Sequence, residues 1–336
     1  MRKIFLLVLF LSTMLFGQRR PGAVFLLIWP GAKPTALAGA FAAIANDPTA
    51  CYYNQAGLAF IDNTMITLQH ANWLPALQPD MYYEYLGIAK PFKFGTLGFD
   101  IIYLTTGKTQ VVNEDGIVLG EYTTFDIAIG LDYGAKLNEK LGLGIGWKII
   151  YSYLVPGWVF RRMPELGIDE GGTGLTYAFS CGVLYHPFEF LSLASALQNI
   201  GPDIGYSESG TQDPLPYTLR LGVKFNPVQT QVFRITLTAE ITKILVGMFP
   251  NEDNSFFENL QYEFEEAWKS AGLEIDYYDF VSLRGGYFLD EEGARKGFTY
   301  GGGVRVSRFS LDVGIDQAIY DFSTSNYKFS LTYRFN

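Results

Sequence analysis

The sequence predicts an all-β fold: a 14-stranded antiparallel transmembrane β-barrel with an N-terminal segment plugging its lumen and one short external helix. Three observations carry that expectation. Fourteen short segments alternate apolar with small or polar residues at period two, and the last, Tyr327 to Phe335, ends one residue from the C-terminus. The connections between these segments alternate short and long, as periplasmic turns and external loops do in outer-membrane barrels. Aromatics form 16% of the chain and glycine numbers 36, matching interfacial girdles of Tyr, Trp and Phe and a crowded interior.

The chain opens with Arg2 and Lys3, an apolar run from Ile4 to Phe16 broken by Ser12 and Thr13, and then Gly17. This reads as a secretory signal peptide over residues 1–17; the run is too short for a transmembrane helix, which needs about 18 or more apolar residues. No cysteine lies near the cleavage point, which argues against a lipoprotein. Residues 18–62 follow. Their core, Ala23 to Phe60, is rich in Ala and Gly and lacks strand alternation, so a lumen plug is expected there.

Residues 63–336 are read as the barrel. Strands are expected at Thr64 to Asn72, Met81 to Lys90, Gly95 to Leu104, Tyr122 to Ala135, Leu141 to Leu154, Gly172 to Tyr185 and Leu191 to Gln198. The second half holds Tyr217 to Phe225, Phe233 to Thr242, Gly272 to Tyr278, Val281 to Phe288, Phe298 to Val306, Ser310 to Ile319 and Tyr327 to Phe335. The fifth is the clearest, with Leu143, Ile145, Trp147 and Ile149 on one face against Gly142, Gly144, Gly146 and Lys148 on the other. A strand with one apolar and one charged face is stable in a bilayer when the charged face lines an interior. A soluble β-sandwich also alternates, but its exposed face would carry more Lys and Glu than the glycines and isolated charges here.

Between the ninth and tenth strands, Lys243 to Ala271 contains a helical pattern. Ser255 and Glu258 have capping-box spacing, and Phe257, Leu260, Phe264 and Trp268 recur at helical intervals with Phe256 beside them. Gly272 reads as the stop. The opposite face carries Glu258, Glu263, Glu265 and Glu266, so Phe256, Phe257, Leu260, Phe264 and Trp268 form a candidate partner-binding surface, or else aromatics packed on the rim.

The inferred lumen wall has mixed charge: Asp126, Asp132, Lys148, Arg220, Lys224, Arg234, Glu240, Glu274, Asp276, Arg284, Arg305, Asp312, Asp316 and Arg334. Pairing with one another and with the plug is the expected role of each. Loss of Arg2 and Lys3 with the leader lowers Lys plus Arg from 25 to 23 against 34 Asp and Glu, a net −11, so no nucleic-acid partner is expected. Cys51 lies in the plug and Cys181 is in phase with lipid-facing Phe179 and Val183, on opposite sides of the wall, so no disulfide is expected.

Catalytic signals are nearly empty, and no catalytic, metal or cofactor site is assigned. The two histidines, His70 and His186, fall at opposite membrane faces, which leaves a Ser/His/Asp site or a His-rich metal site without support. Gly142, Gly144 and Gly146 alternate with bulky residues inside a strand and do not form a nucleotide loop.

The segment Phe25 to Lys33 (FLLIWPGAK), continuing through Ala36 to Asp47 (ALAGAFAAIAND) and closing on Asn54 to Gly57 (NQAG), resembles the N-terminal signature of the PorV/PorQ family within the FadL-like outer-membrane barrels. On this resemblance Lys33, Gly39, Asp47, Asn54, Ala56 and Gly57 are the plug-motif residues. The signature usually has Arg at the place of Lys33 and Asn-Pro-Ala where Asn54, Gln55 and Ala56 stand. Asn251 to Phe257 (NEDNSFF), Trp268, Gly272 to Glu274 and Leu283 to Phe288 (LRGGYF) look like a later region of the same family. The resemblance implies a non-enzymatic outer-membrane component of the type IX secretion system. Its partners would be the translocon, the C-terminal signal domains of secreted cargo, and outer-membrane lipid, with cargo passed on to the surface attachment machinery. The Asn-Pro-Ala element is shared with FadL-type transporters of hydrophobic small molecules, which is the alternative reading. A purely structural barrel is a third.

Overall fold

The computed structural model describes residues 20–163, 170–207, 210–248, 256–291, 293, 295–317 and 324–335. The expected leader and the expected cap Ser255 lie outside the described residues. Among the described residues the chain forms fourteen strands. These are β1 (Met65–Asn72), β2 (Tyr82–Phe92), β3 (Gly95–Val112), β4 (Val118–Asn138), β5 (Leu141–Tyr153), β6 (Thr173–Phe188) and β7 (Leu191–Ile200), then β8 (Thr218–Gln229), β9 (Phe233–Ile244), β10 (Trp268–Tyr277), β11 (Val281–Asp290), β12 (Arg295–Val306), β13 (Phe309–Asp316) and β14 (Asn326–Arg334). They close into one barrel in sequence order, β1 pairing antiparallel with β14 from Met65 opposite Arg334 to Asn72 opposite Tyr327. Closure pairs both edges of the sheet, which hydrocarbon demands because it offers backbone groups no other partner.

Strand phase follows the sequence. On β5 the bulky Leu143, Ile145, Trp147 and Ile149 are exposed outward, while Gly144, Gly146 and Lys148 are buried inward. Ile129 and Leu131 of β4 likewise face out and Gly130 and Asp132 face in. Connections 93–94, 139–140, 189–190, 230–232, 278–280 and 307–308 are tight at one end, and 154–172, 201–217 and 245–267 are long at the other. By that asymmetry the long-loop end is external and the tight-turn end periplasmic.

The β3–β4 hairpin and the loop between β9 and β10 depart most from expectation. β3 and β4 run past Leu104 and back to Val118 as an extended hairpin, with register shifts at Thr105/Gly107 and Val111/Val112. Outside the bilayer both faces of a hairpin meet water, so Thr106 to Gln110 carry no apolar alternation and the pattern ends before the strand does. The external helix is also shorter than expected. It spans Phe256–Glu266, and Trp268 is the first residue of β10, paired with Thr242 of β9, so Gly272 lies inside a strand and stops no helix.

Residues 23–61 fold inside the barrel through short pieces: 3-10 turns at Val24–Leu27 and Gln55–Phe60, and helices α1 (Ala32–Ala36) and α2 (Ala50–Tyr53). Two further helices sit in the external loops, α3 (Gly157–Arg162) and α4 (Phe256–Glu266). The core is therefore the contact between this segment and the inner wall, where Phe25, Leu26, Leu37, Phe41 and Tyr53 pack with Tyr83, Tyr85 and Phe288.

Candidate functional site: the plugged lumen and its external rim

An irregular segment inside a barrel must find partners for its backbone polar groups, and here wall side chains supply them. Gly31 N donates to Gln69 Oε1 (2.9 Å), Ala32 N to Ser330 Oγ (2.9 Å) and Ala38 N to Thr299 Oγ1 (3.0 Å). Thr299 Oγ1 donates in turn to Ala36 O (3.1 Å), Thr238 Oγ1 to Ala40 O (3.0 Å), and Lys328 Nζ to Trp29 O (2.5 Å). The hydroxyls of Tyr83 and Tyr85 reach Ile28 O and Pro48 O, both at 2.9 Å. Glycines on the wall let the backbone come this close. A Cβ on Gly144 would fall on the Gln55–Ala56 backbone, and one on Gly286 would lie 2.7 Å from Ala38 N.

The centre of this network is a buried ion pair. Arg220 Nη1 lies 2.6 Å from Glu240 Oε1, and Arg220 Nε donates to Gln198 Oε1 at 3.0 Å. The other Glu240 oxygen accepts Phe41 N (3.1 Å) and Ala42 N (2.9 Å) from the plug. The guanidinium sits over the rings of Tyr52 and Tyr53 at 5.4 and 5.3 Å. Gln198 Nε2 donates to Tyr52 O and Tyr53 O. A second network joins Arg284 to Glu274 (2.5 Å) and Asp312 (2.6 Å), and a third joins Arg234 to Asp276 (3.1 Å) and Asp279 (2.5 Å). Seven of the fourteen expected wall charges, Arg220, Arg234, Glu240, Glu274, Asp276, Arg284 and Asp312, therefore pair with one another.

The plug-motif residues make contacts within the plug and with the wall. Asn54 Nδ2 donates to Ala42 O and to Val183 O of β6, both at 3.1 Å, and its Oδ1 accepts Ala56 N (3.1 Å), so one side chain ties two plug segments and the wall. Gly57 is packed so closely that a Cβ would run into the Ala45 carbonyl. Gly39 has φ +78° and lies against the Trp29 indole. Asp47 Oδ1 accepts Thr49 N (2.8 Å) and Thr49 Oγ1 (2.5 Å), setting up α2, and burial pushes its carboxyl pKa up against the pull of Lys33. Lys33 reaches Glu274 at 3.6 Å.

Cavities lie at both ends of the plug. At the periplasmic end a polar cavity of about 370 Å³ is lined by Lys33, Lys224, Arg234, Glu274, Asp276 and Arg305. At the external end an apolar cavity of about 420 Å³ lies between Phe25, Leu27 and Trp29 of the plug and Trp73, Leu104, Trp268 and Phe288 of the wall. Trp29 and Trp268 both pack edge-on to Phe288, at 4.8 and 5.8 Å, and Arg295 covers Trp268 at 4.5 Å. The expected inner surface of Gly, Ser, Thr and charge is thus interrupted by an aromatic pocket. Trp268, at 8% exposure, belongs to this pocket and not to the helix surface.

The helix itself is turned with Glu263 and Glu266 toward the barrel, while Glu258 and Glu265 stay exposed. Lys243 pairs with Glu263 (2.5 Å) and Glu266 (2.7 Å), burying Glu263. Phe257, Leu260 and Phe264 are left 79%, 50% and 56% exposed. Of Phe256, the helix position alone is described. His70 and His186 lie at opposite ends of the barrel, hydrogen-bonded to Glu84 (2.6 Å) and Ser192 (2.7 Å) respectively. Cys51 is buried in the plug and Cys181 faces outward, both as free thiols.

Asp100, Lys328 and Gln55 were missed by the sequence reading of the lumen. Asp100 and Lys328 sit on inward positions of their strands, so alternation was the signal that could have found them. Nothing periodic marks Gln55.

Comparison with known proteins places this architecture. A family model described as type IX secretion system protein PorV matches residues 20–251. No curated protein matches the chain. Among solved structures, the Pseudomonas putida toluene transporter TodX aligns with a TM-score of 0.59 at 13% identity, covering 91% of this chain and 99% of that one. The Ralstonia pickettii toluene transporter TbuX gives 0.57 at 12%, covering 91% and 98%. A Pseudomonas aeruginosa FadL homologue gives 0.51 at 12%, covering 91% and 98%. At these identities the structural likeness establishes the FadL-like barrel fold. The family match takes in the whole plug and the first nine strands and stops before α4. The chain belongs to the PorV family of type IX secretion system proteins and is an outer-membrane β-barrel.

Proposed function

We propose that this barrel is a cargo carrier of the type IX secretion system: it binds the C-terminal signal domain of secreted proteins and passes them from the translocon to the attachment machinery. The observation that carries this reading is the orientation of α4. Lys243 holds Glu263 and Glu266 of the helix against the barrel, and Phe257, Leu260 and Phe264 project at the external end. Apolar anchors beside the polar Gln261 and Glu265 have the composition of a transient interface, with a desolvating centre and a wet rim. Such work is differential binding and breaks no bond. In this reading residues 1–17 are a leader cleaved near Gly17, residues 18–62 the plug, and residues 63–336 the barrel.

The test is capture of a purified type IX C-terminal signal domain by the detergent-solubilised barrel. Phe257→Ala with Phe264→Ala should leave the heat-modifiable barrel intact and weaken capture about 30-fold or more, since truncating an aromatic anchor commonly costs about 2 kcal/mol or more. Capture unchanged by the double substitution would remove α4 from the interface.

One observation favours a second reading, a FadL-like transporter of hydrophobic small molecules. The aromatic cavity around Trp29, Trp268 and Phe288 is of a size to hold a small apolar ligand. In that case the wild-type barrel captures no signal domain, a monoaromatic or fatty-acid ligand quenches tryptophan fluorescence, and Trp268→Ala abolishes the quenching.

A further inference from the structure

Where α2 meets β3 and β4, three potential ligand atoms converge with no solvent around them. The Cys51 sulfur, a carboxylate oxygen of Asp100 and a carboxylate oxygen of Asp132 all lie within 4.8 Å of one another. Exposure is 0% for Cys51, 1% for Asp100 and 5% for Asp132. The inner wall is shaped around them. Asp100 stands opposite Gly130, and Asp132 stands between Gly98 and Gly146. A Cβ on Gly130 would strike Asp100 Oδ1, one on Gly146 would strike Asp132 Oδ1, and one on Gly98 would lie 2.6 Å from Cys51 Sγ. Each carboxylate thus leans over a glycine of the next strand, within reach of the thiol.

Their hydrogen-bonding capacity is largely unused. Asp100 Oδ1 and Oδ2, Asp132 Oδ2 and Gln55 Oε1 are buried and meet no donor among the described residues. Gln55, fully buried, belongs to the same cluster: its Nε2 donates to Cys51 O at 2.6 Å and its Cγ packs against the Gly146 position that Asp132 also fills. Each unpaired buried acceptor costs free energy comparable to a lost hydrogen bond, more when charged. A single proton shared by the two carboxylates would serve two of these four oxygens. A cation serves an oxygen from each group together with the sulfur.

We propose that Cys51, Asp100 and Asp132, with the Gln55 carbonyl oxygen or a water as fourth ligand, form a structural zinc site that clamps the plug to the wall. A mixed sulfur and oxygen donor set suits Zn²⁺, whereas Ca²⁺ and Mg²⁺ take all-oxygen sets. Charge closes as well. Zinc displaces the thiol proton, and the thiolate with two carboxylates, the metal and the buried Lys148 opposite Gly130 sums to zero. Because the site is sealed between plug and wall, the metal enters as the plug seats.

The experiment refolds the full mature chain into detergent with Zn²⁺ or with chelator, then measures bound metal by mass spectrometry and the temperature at which heat-modified migration is lost. The wild type is expected to retain one zinc per chain after dialysis and to lose its compact form at a lower temperature when refolded with chelator. Cys51→Ala preserves a small apolar side chain and should fold, yet hold at least tenfold less zinc and lose the sensitivity to chelator. Refolding with Cd²⁺ should give a sulfur-to-metal charge-transfer absorption in the wild type that is absent in Cys51→Ala. A folded, heat-modifiable wild type that retains neither metal would overturn the proposal and leave Asp100 and Asp132 as a carboxyl pair sharing a proton.

Discussion

Replacing Glu240 by Ala should do more damage than any other single change on the inner wall, because one carboxylate holds both a wall cation and the plug. One oxygen faces Arg220 at 2.6 Å with both side chains almost wholly buried, and the other accepts the amides of Phe41 and Ala42. Removing one partner of a buried ion pair costs roughly 3–5 kcal/mol, since the remaining charge has neither water nor counter-ion. Two buried amides stripped of their acceptor add roughly 1–3 kcal/mol each before relaxation, so a total of at least about 5 kcal/mol is expected. Glu240→Gln separates the two effects by keeping an acceptor for the amides while removing the charge. Arg220→Met combined with Glu240→Gln removes the uncompensated charge and should return to within about 2 kcal/mol of wild type. Urea titration of the folded gel band measures stability, and planar-bilayer conductance reports whether the plug has left the lumen. The reasoning is refuted if Glu240→Ala shifts the urea midpoint no further than Glu121→Ala, whose carboxylate pairs with Lys108 on the exposed hairpin.

Other substitutions test the remaining contacts. Asn54→Leu removes three hydrogen bonds that join Ala42, Ala56 and Val183, so roughly 2–4 kcal/mol should be lost and the plug should become open to protease from the periplasmic side. Leu143→Arg puts a charge on the lipid face and should impair membrane assembly by about 2–4 kcal/mol if near the midplane, read as the folded fraction in vesicles. Gly144→Ser places its Cβ on the Gln55–Ala56 backbone, so a folded barrel with raised conductance is expected, and wild-type conductance would show that the plug yields there freely. Lys328→Met leaves Trp29 O without its donor and should loosen the external cavity, measured as increased quenching of tryptophan fluorescence by acrylamide.

Strand number, order and phase were legible in the sequence because a bilayer imposes them locally. Lipid on one side and a polar interior on the other force period two wherever a strand crosses, and Leu143 against Gly144 is enough to set the phase of β5. The same reasoning placed Cys51 and Cys181 on opposite sides of the wall and located most of the charges that pair inside. Where the lipid ends the rule ends, so the extension of β3 and β4 past Leu104 left no signature. Trp268 fitted two periods at once, following Phe264 at helical spacing and leading Ser270, Gly272 and Glu274 at strand spacing. Pairing with Thr242 decided between them, and that partner is supplied by the neighbouring strand and not by the local sequence. The plug depended on tertiary structure throughout. Its backbone is irregular, its hydrogen bonds run to wall residues as far away as Ser330 and Lys328, and its seat is set by which glycines the curvature of the closed barrel brings beneath it. That is why Gln55 looked like a mere departure from a motif, and why the meeting of Cys51 with Asp100 and Asp132 exists only in the closed barrel.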